Sequence, residues 1–154
     1  MISALIESAV IIQSLVSSTK EGALAEMMEA MVAARRVLQK DAPPIAKQLR
    51  EREVLGTTGI GNGVAVPHVK SALVAQLSLL VARSAVGIDY QAIDGKPVHT
   101  VFLIVAPADQ AEQHLKALRW ISTLARSADF RRFVLSAKTD ADIRDLLREM
   151  SSAK

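Results

Sequence analysis

The segment from Gly56 to Lys70 reads Gly-Thr-Thr-Gly-Ile-Gly-Asn-Gly-Val-Ala-Val-Pro-His-Val-Lys, and no other stretch restricts the fold as much. Four of the chain's seven glycines fall within its first eight residues. Glycine admits positive φ and lets main-chain N–H groups approach an anion closely, so Gly59, Gly61 and Gly63, with Asn62 between them, predict a turn-rich loop facing a ligand. Val64, Ala65 and Val66 then predict a short buried strand. Pro67 disfavours the α region at Val66 and removes a sheet donor, so the strand should stop there and His68 should emerge on the loop just beyond. A histidine delivered beside an anion-binding loop is a candidate nucleophile.

Val10-Ile11-Ile12 suits a first short strand, although the apolar residues around it could equally prolong a helix. Ser18 and Glu21 have the spacing of a capping box, and Leu24, Met27, Met28 and Met31 follow at helical intervals. Together they predict a helix from Thr19 to Gln39 with its methionines in the core. Asp41 and Pro43-Pro44 open a second helix that ends at Gly56, with Arg52 in its last turn. Leu77 to Ala82 and Val98 to Val105 predict strands, separated by turn signals at Val86-Gly87-Ile88-Asp89 and Ile93-Asp94-Gly95-Lys96-Pro97. The apolar run Val101 to Val105 should be central and covered on both faces, while His99 reads as an ordinary strand residue. Helices should follow from about Asp109 to Arg126, with His114 in the early turns, and from Phe130 to Leu135. Thr139 with Asp142 would cap a last helix carrying Ile143, Leu146, Leu147 and Met150. Strands interspersed with helices, without clean alternation, imply one α/β domain over 1–154 built on a mixed β-sheet.

A chain of 154 residues can bury a proper core without metal or disulfide. Cysteine is absent, which excludes thiol catalysis, disulfides and cysteine-based zinc sites and suits a reducing cytoplasm. The net charge of +3 is spread among acidic residues, and aromatics at 3% are too few for a base-stacking platform, so nucleic acid is not an expected partner. Met1 to Val16 carries Glu7 and Gln13 without a basic leader, which is a poor signal peptide. The longest apolar run, Val101 to Ala108, falls far short of the roughly 20 residues a spanning helix needs, so no membrane insertion is expected.

A dinucleotide fingerprint needs a strand before its glycine loop and a helix after it, and here the order is reversed. Gly-Lys-Ser/Thr, His-Glu-x-x-His and Gly-x-Ser-x-Gly are also missing, so NTPase, zinc-enzyme and serine-hydrolase chemistry lack their parts, and no metal or cofactor is expected. A histidine can act covalently, taking a phosphoryl group on a ring nitrogen and passing it on. Such transfer relies on positioning and on neutralising the equatorial oxygens. Helpers are available in the N–H groups of the glycine loop, the Thr57 and Thr58 hydroxyls and the planar guanidinium of an arginine. The attacking nitrogen must be unprotonated, so some group must hold the N–H of the other. Taken alone, a histidine after a strand is more often structural, and Arg52 is more simply a solvated side chain favoured by the helix dipole.

The stretch Gly-Ile-Gly-Asn-Gly-Val-Ala-Val-Pro-His resembles the active-site signature of the IIA proteins of the bacterial phosphoenolpyruvate-dependent phosphotransferase system, in its fructose, mannitol and nitrogen-regulatory branch. The likeness extends upstream to Arg52 and downstream through Asp94 to Val98, Phe102 to Pro107 and His114 to Leu118. It implies a single EIIA type-2 domain with helices on both faces of a mixed sheet. It also implies that His68 is phosphorylated by the phosphocarrier protein HPr, with His114 and Arg52 orienting the ring and binding the phosphoryl oxygens. The acceptor would be a sugar-specific IIB protein in the transport branch, or regulatory target proteins would be bound in the nitrogen branch. Without cysteine the chain cannot include a phosphocysteine IIB module, and the Gly-Thr-Thr-Gly-Ile-Gly-Asn-Gly run leans towards the nitrogen branch. The alternative is a binding module in which His68 is never phosphorylated. Val69 departs from the family pattern, which has a small residue after the histidine; a β-branched side chain there would stiffen the loop and narrow a partner's approach.

Overall fold

The computed structural model describes residues 1–152, so Ala153 and Lys154 of the expected 1–154 domain lie outside the described residues. The chain opens with helix α1 (Ile2–Glu7), which buries Leu5 and Ile6, and only then enters strand β1 (Val10–Ile12). The apolar N-terminal stretch is therefore a helix followed by the expected strand. Helix α2 (Lys20–Ala33) is capped by Thr19, whose side chain accepts from the Gly22 N–H, one residue later than the Ser18 box predicts. Met27, Met28 and Met31 are buried in the core beneath it.

Helix α2 stops six residues short of the expected Gln39. Arg35 takes a left-handed conformation at φ 62°, the Arg36 N–H reaches back to the Met31 carbonyl, and the Arg35 N–H bonds that of Val32. This is a Schellman ending with arginine in the place usually held by glycine, so no punctuation residue announced it. A 3-10 turn over Gln39–Asp41 leads into α3 (Ala42–Leu55), which has proline in its first turn and ends at Gly56.

The glycine-rich segment forms strands β2 (Gly59–Gly61) and β3 (Val64–Ala65), and β4 (His68–Ser71) follows. Strand β5 (Ser78–Ile88) runs straight through the expected turn at Val86-Gly87; Gly87, at φ 99°, sits instead in a stretch where the pairing register shifts between Arg83 and Ile88. The chain then turns at Asp94-Gly95 into β6 (Val98–Pro107). Three helices complete it: α4 (Ala111–Arg126), α5 (Ala128–Ser136) and α6 (Asp140–Ser152). The expected Thr139 cap on α6 is present, its hydroxyl accepting from the Asp142 N–H.

Among the described residues the strands form one mixed six-stranded sheet in the order β1-β5-β6-β3-β2, with β4 beside β6 beyond β3. β5 and β6 are antiparallel; β1 runs parallel to β5, and β3 and β4 run parallel to β6. Alternation along β6 sends Val101, Leu103 and Val105 into a core shared with α2 and α3, and Phe102 and Ile104 into a second core under α1, α4, α5 and α6. Helices thus cover both faces. Fully buried side chains of this size each contribute roughly 1.5–3 kcal/mol, so Phe102→Ala, which also leaves a cavity against Phe130, should cost about 3–5 kcal/mol.

Candidate active site

His68 lies on a strand, not on the loop expected beyond Pro67. Proline removes a donor, but the Pro67 carbonyl still accepts from the Ile104 N–H at 3.1 Å, and the parallel ladder to β6 resumes with His68 opposite Ile104. Alternation then places His68 with Val64 and Val66 on the α4 side of the sheet, while Val69 packs at 7% exposure into the opposite core. The expected stiffened loop is absent, because the β-branched residue is a buried strand residue on the face away from the histidine.

The half-buried His68 ring is held by its own chain. Its Nδ1 lies 2.7 Å from the Val66 carbonyl oxygen, which can only accept, so Nδ1 carries a proton and in the neutral ring the lone pair is on Nε2. The group that fixes the tautomer is a main-chain oxygen two residues back.

Helix α4 brings His114 to the same place. Its buried face runs His114, Ala117, Ile121, Leu124, Ala125, so the histidine occupies the first position of a core stripe at the end that meets β4. The two imidazole rings have centroids 5.3 Å apart and are tilted by 52°. Burial, then the charges available to His68 and Lys70, push the His114 pKa down from 6.5 to about 4, so its ring is neutral near pH 7. Its Nε2 is buried and has no hydrogen-bond partner. A polar atom left so is usually waiting for a ligand or a water.

Arg52 arrives from the last turn of α3, where its Nη1 donates to the Gly56 carbonyl at 2.7 Å. Arg52, His68 and His114 line one cavity of about 1080 Å³ together with Lys70. Its rim carries Val54 and Leu55, exposed at 86% and 85%. No group of three His, Asp or Glu side chains among the described residues is arranged to hold a metal ion.

The rest of the glycine segment is not brought to this cavity. Asn62 and Gly63, at φ 58° and 76°, form the tight turn of the β2–β3 hairpin, and Val64 pairs with Thr100 while His68 pairs with Ile104. An offset of four residues along β6, from Thr100 to Ile104, therefore separates the turn from the histidine, roughly 13 Å. Three amides of the segment are taken: Thr58 N–H bonds Glu53, Gly59 N–H bonds the Thr57 hydroxyl, and Asn62 N–H bonds Asp94. Thr57 Oγ1 also reaches the Tyr90 carbonyl, and Thr58 Oγ1 donates to Glu53. Gly59 is glycine because a Cβ there would stand 2.7 Å from that of Ala92, and Gly61 faces Asp94. These contacts give the segment a structural part, and none of Thr57, Thr58, Gly59, Gly61, Asn62 and Gly63 lines the cavity that holds His68. His99, as expected, is a strand residue, its Nδ1 donating to the Ser84 carbonyl.

Lys70 was missed, although its position two residues beyond His68 puts both on one face of any strand. Glu53 was missed too; it continues the buried stripe Ile45–Leu49 at a four-residue interval.

The family model for the phosphoenolpyruvate-dependent sugar phosphotransferase system, EIIA 2, matches residues 4–150. The chain is 39% identical over 133 residues to the fructose-specific EIIA component of Haloferax volcanii, covering 86% of this chain and 85% of that one. It is 38% identical over 131 residues to a nitrogen regulatory protein of Bradyrhizobium diazoefficiens, covering 85% and 83%. The fold is similar to the crystal structure of the nitrogen regulatory protein IIA-Ntr of Neisseria meningitidis, with a TM-score of 0.82 at 25% identity over 94% of this chain and 99% of that one.

Proposed function

This chain belongs to the EIIA 2 family of the phosphoenolpyruvate-dependent sugar phosphotransferase system, and on that premise we propose that it carries a phosphoryl group on Nε2 of His68. The observation that carries the proposal is the bond from His68 Nδ1 to the Val66 carbonyl, which leaves Nε2 free in a cavity shared with a neutral histidine and an arginine. Nε2 attacks the phosphorus of a phosphohistidine presented by an HPr-type carrier. A new N–P bond forms as the donor's N–P bond breaks, and the leaving electron pair stays on the donor's imidazole. Nδ1–H keeps its bond to Val66, which stabilises the positive charge that develops on the ring. Arg52 neutralises phosphoryl oxygens, and the unpartnered Nε2 of His114 offers them a further contact.

The exposed Val54 and Leu55 beside the cavity support a protein, rather than a small molecule, as donor and acceptor. We take the downstream partners to be regulatory target proteins, whose affinity would change with the phosphorylation state. The fructose-specific relative favours a second reading, in which a IIB protein accepts the phosphoryl group. The protein would work in the cytoplasm alongside its donor; among the described residues no helix is long and apolar enough to cross a membrane.

Mass spectrometry after incubation with phosphoenolpyruvate, enzyme I and HPr tests the proposal. One added phosphate on the wild type and none on His68→Ala is the expected result. No phosphate on either, in a folded protein, would leave the pure binding module as the correct reading.

A further inference from the structure

Ile45, Leu49 and Glu53 recur at four-residue intervals along α3, and the first two are buried at 0% and 1%. Where that stripe asks for a third apolar residue the chain places a carboxylate, its side chain 6% exposed. Buried carboxylates are rare and persist only when paired and hydrogen-bonded. Glu53 is both: Oε1 lies 3.1 Å from Lys20 Nζ and accepts from the Thr58 N–H at 3.1 Å, while Oε2 accepts from the Thr58 hydroxyl and lies 3.4 Å from the Tyr90 hydroxyl. The Tyr90 hydroxyl is also 3.0 Å from Thr58 Oγ1, and the Lys20 ammonium sits 4.8 Å from the Tyr90 ring centre. Burial and the Glu53 charge raise the Tyr90 pKa, which keeps that hydroxyl a donor.

The network joins four parts of the chain that meet at the end of α3. Neighbouring helical residues point about 100° apart, so drawing Glu53 into the interior fixes the rotation at which Arg52 leaves the helix towards the cavity. The Glu53–Thr58 bonds also close the turn that contains Gly56, whose carbonyl receives the Arg52 guanidinium at 2.7 Å. One buried carboxylate thus reinforces both the rotation set by Ile45 and Leu49 and the turn closed by the Gly56 N–H to the Glu53 carbonyl, the two supports of Arg52.

We propose that Glu53 is a positioning residue for phosphoryl transfer, acting through Arg52 without touching the phosphoryl group, a role that rests on the phosphotransfer reading of His68. In the intact protein, phosphorylation rates from HPr are compared for Glu53→Gln, Arg52→Ala and the double variant, with thermal melting measured in parallel. Arg52→Ala and Glu53→Gln should each slow His68 phosphorylation at least tenfold, and the double variant should be within about twofold of Arg52→Ala alone. The loss of melting temperature caused by Glu53→Gln should instead persist in the Arg52→Ala background. Thr58→Val, which deletes one bond to the carboxylate, gives a milder variant should Glu53→Gln fold poorly; its slowing should likewise vanish without Arg52. Wild-type rates in Glu53→Gln, or multiplicative losses in the double variant, would overturn the proposal. If even the wild type takes up no phosphate, it is the His68 reading that has failed. Side-chain NMR then decides on Glu53: an Arg52 guanidinium signal altered by Glu53→Gln supports the positioning role, and an unaltered one overturns it.

Discussion

The Val66 carbonyl and the His68 ring, two residues apart on either side of Pro67, are joined by a 2.7 Å hydrogen bond that puts the proton of the neutral ring on Nδ1. The first expectation is therefore positional: the phosphoryl group should sit on Nε2 and not on Nδ1. Phosphorus–nitrogen coupling in NMR of the phosphorylated protein reads this directly, and the adduct should be labile to acid and stable to alkali. A signal from phosphorus on Nδ1 would contradict the assigned tautomer.

His114 gives a pH prediction. Its folded pKa of about 4 lies below the ordinary 6.5, so above about pH 6.5 the ring is neutral in both states and contributes no pH dependence. As pH falls from 6.5 to 4 the unfolded chain takes up a proton that the folded protein refuses, and stability is lost, by at most ~3 kcal/mol. Denaturant titrations of the wild type should show that loss over this interval, and His114→Gln should flatten it. An unchanged slope in the variant would mean that His114 is charged in the folded protein.

The hairpin turn should matter for stability and little for chemistry. Gly63 has φ 76°, so Gly63→Ala should cost about 1–2 kcal/mol. Its phosphorylation rate should stay within about twofold of wild type, since the turn lies roughly 13 Å of strand away from His68. A folded Gly63→Ala protein that cannot be phosphorylated would return the glycine segment to the active site.

Phosphorylation at His68 adds up to two negative charges to a cavity that holds Arg52 and Lys70, changing its charge without requiring a change of fold. A pull-down under phosphorylating conditions should then recover different partners with wild type and with His68→Ala. Rapid passage of the phosphate to a IIB protein, with sugar phosphate accumulating in the presence of membranes, would instead establish the transport reading.

Much of the fold is written in local patterns. The run Val101 to Val105 is the central strand because no polar residue interrupts it, and Thr139 caps α6 because its hydroxyl stands three residues before the amide it serves. The convergence of Arg52, His68 and His114 on one cavity is of another kind. No periodicity relates residues on α3, β4 and α4; only likeness to a family suggested it. Asn62-Gly63 between two short extended runs is a hairpin signal, and the chain turns there from β2 into β3. Arg35 hid the end of α2 by adopting a conformation that arginine seldom takes. Glu53 was legible as a charged residue on an apolar stripe, but the partners that make it tolerable come from Lys20, Thr58 and Tyr90, which only the tertiary structure assembles.

The central place of β6 also dictates how the molecule can be born. Val10 pairs with Leu80, and β3, β4 and β5 all take their ladders from a strand that ends at Pro107. Until β6 has left the ribosome, β4 has no partner and β3 and β5 can pair only with β2 and β1, a state in which open edges invite pairing with a neighbouring nascent chain. Pro67 divides the waiting edge into a two-residue and a four-residue piece, each too short to make a persistent foreign contact. The break beside His68 thus also shortens the edge that the unfinished protein exposes.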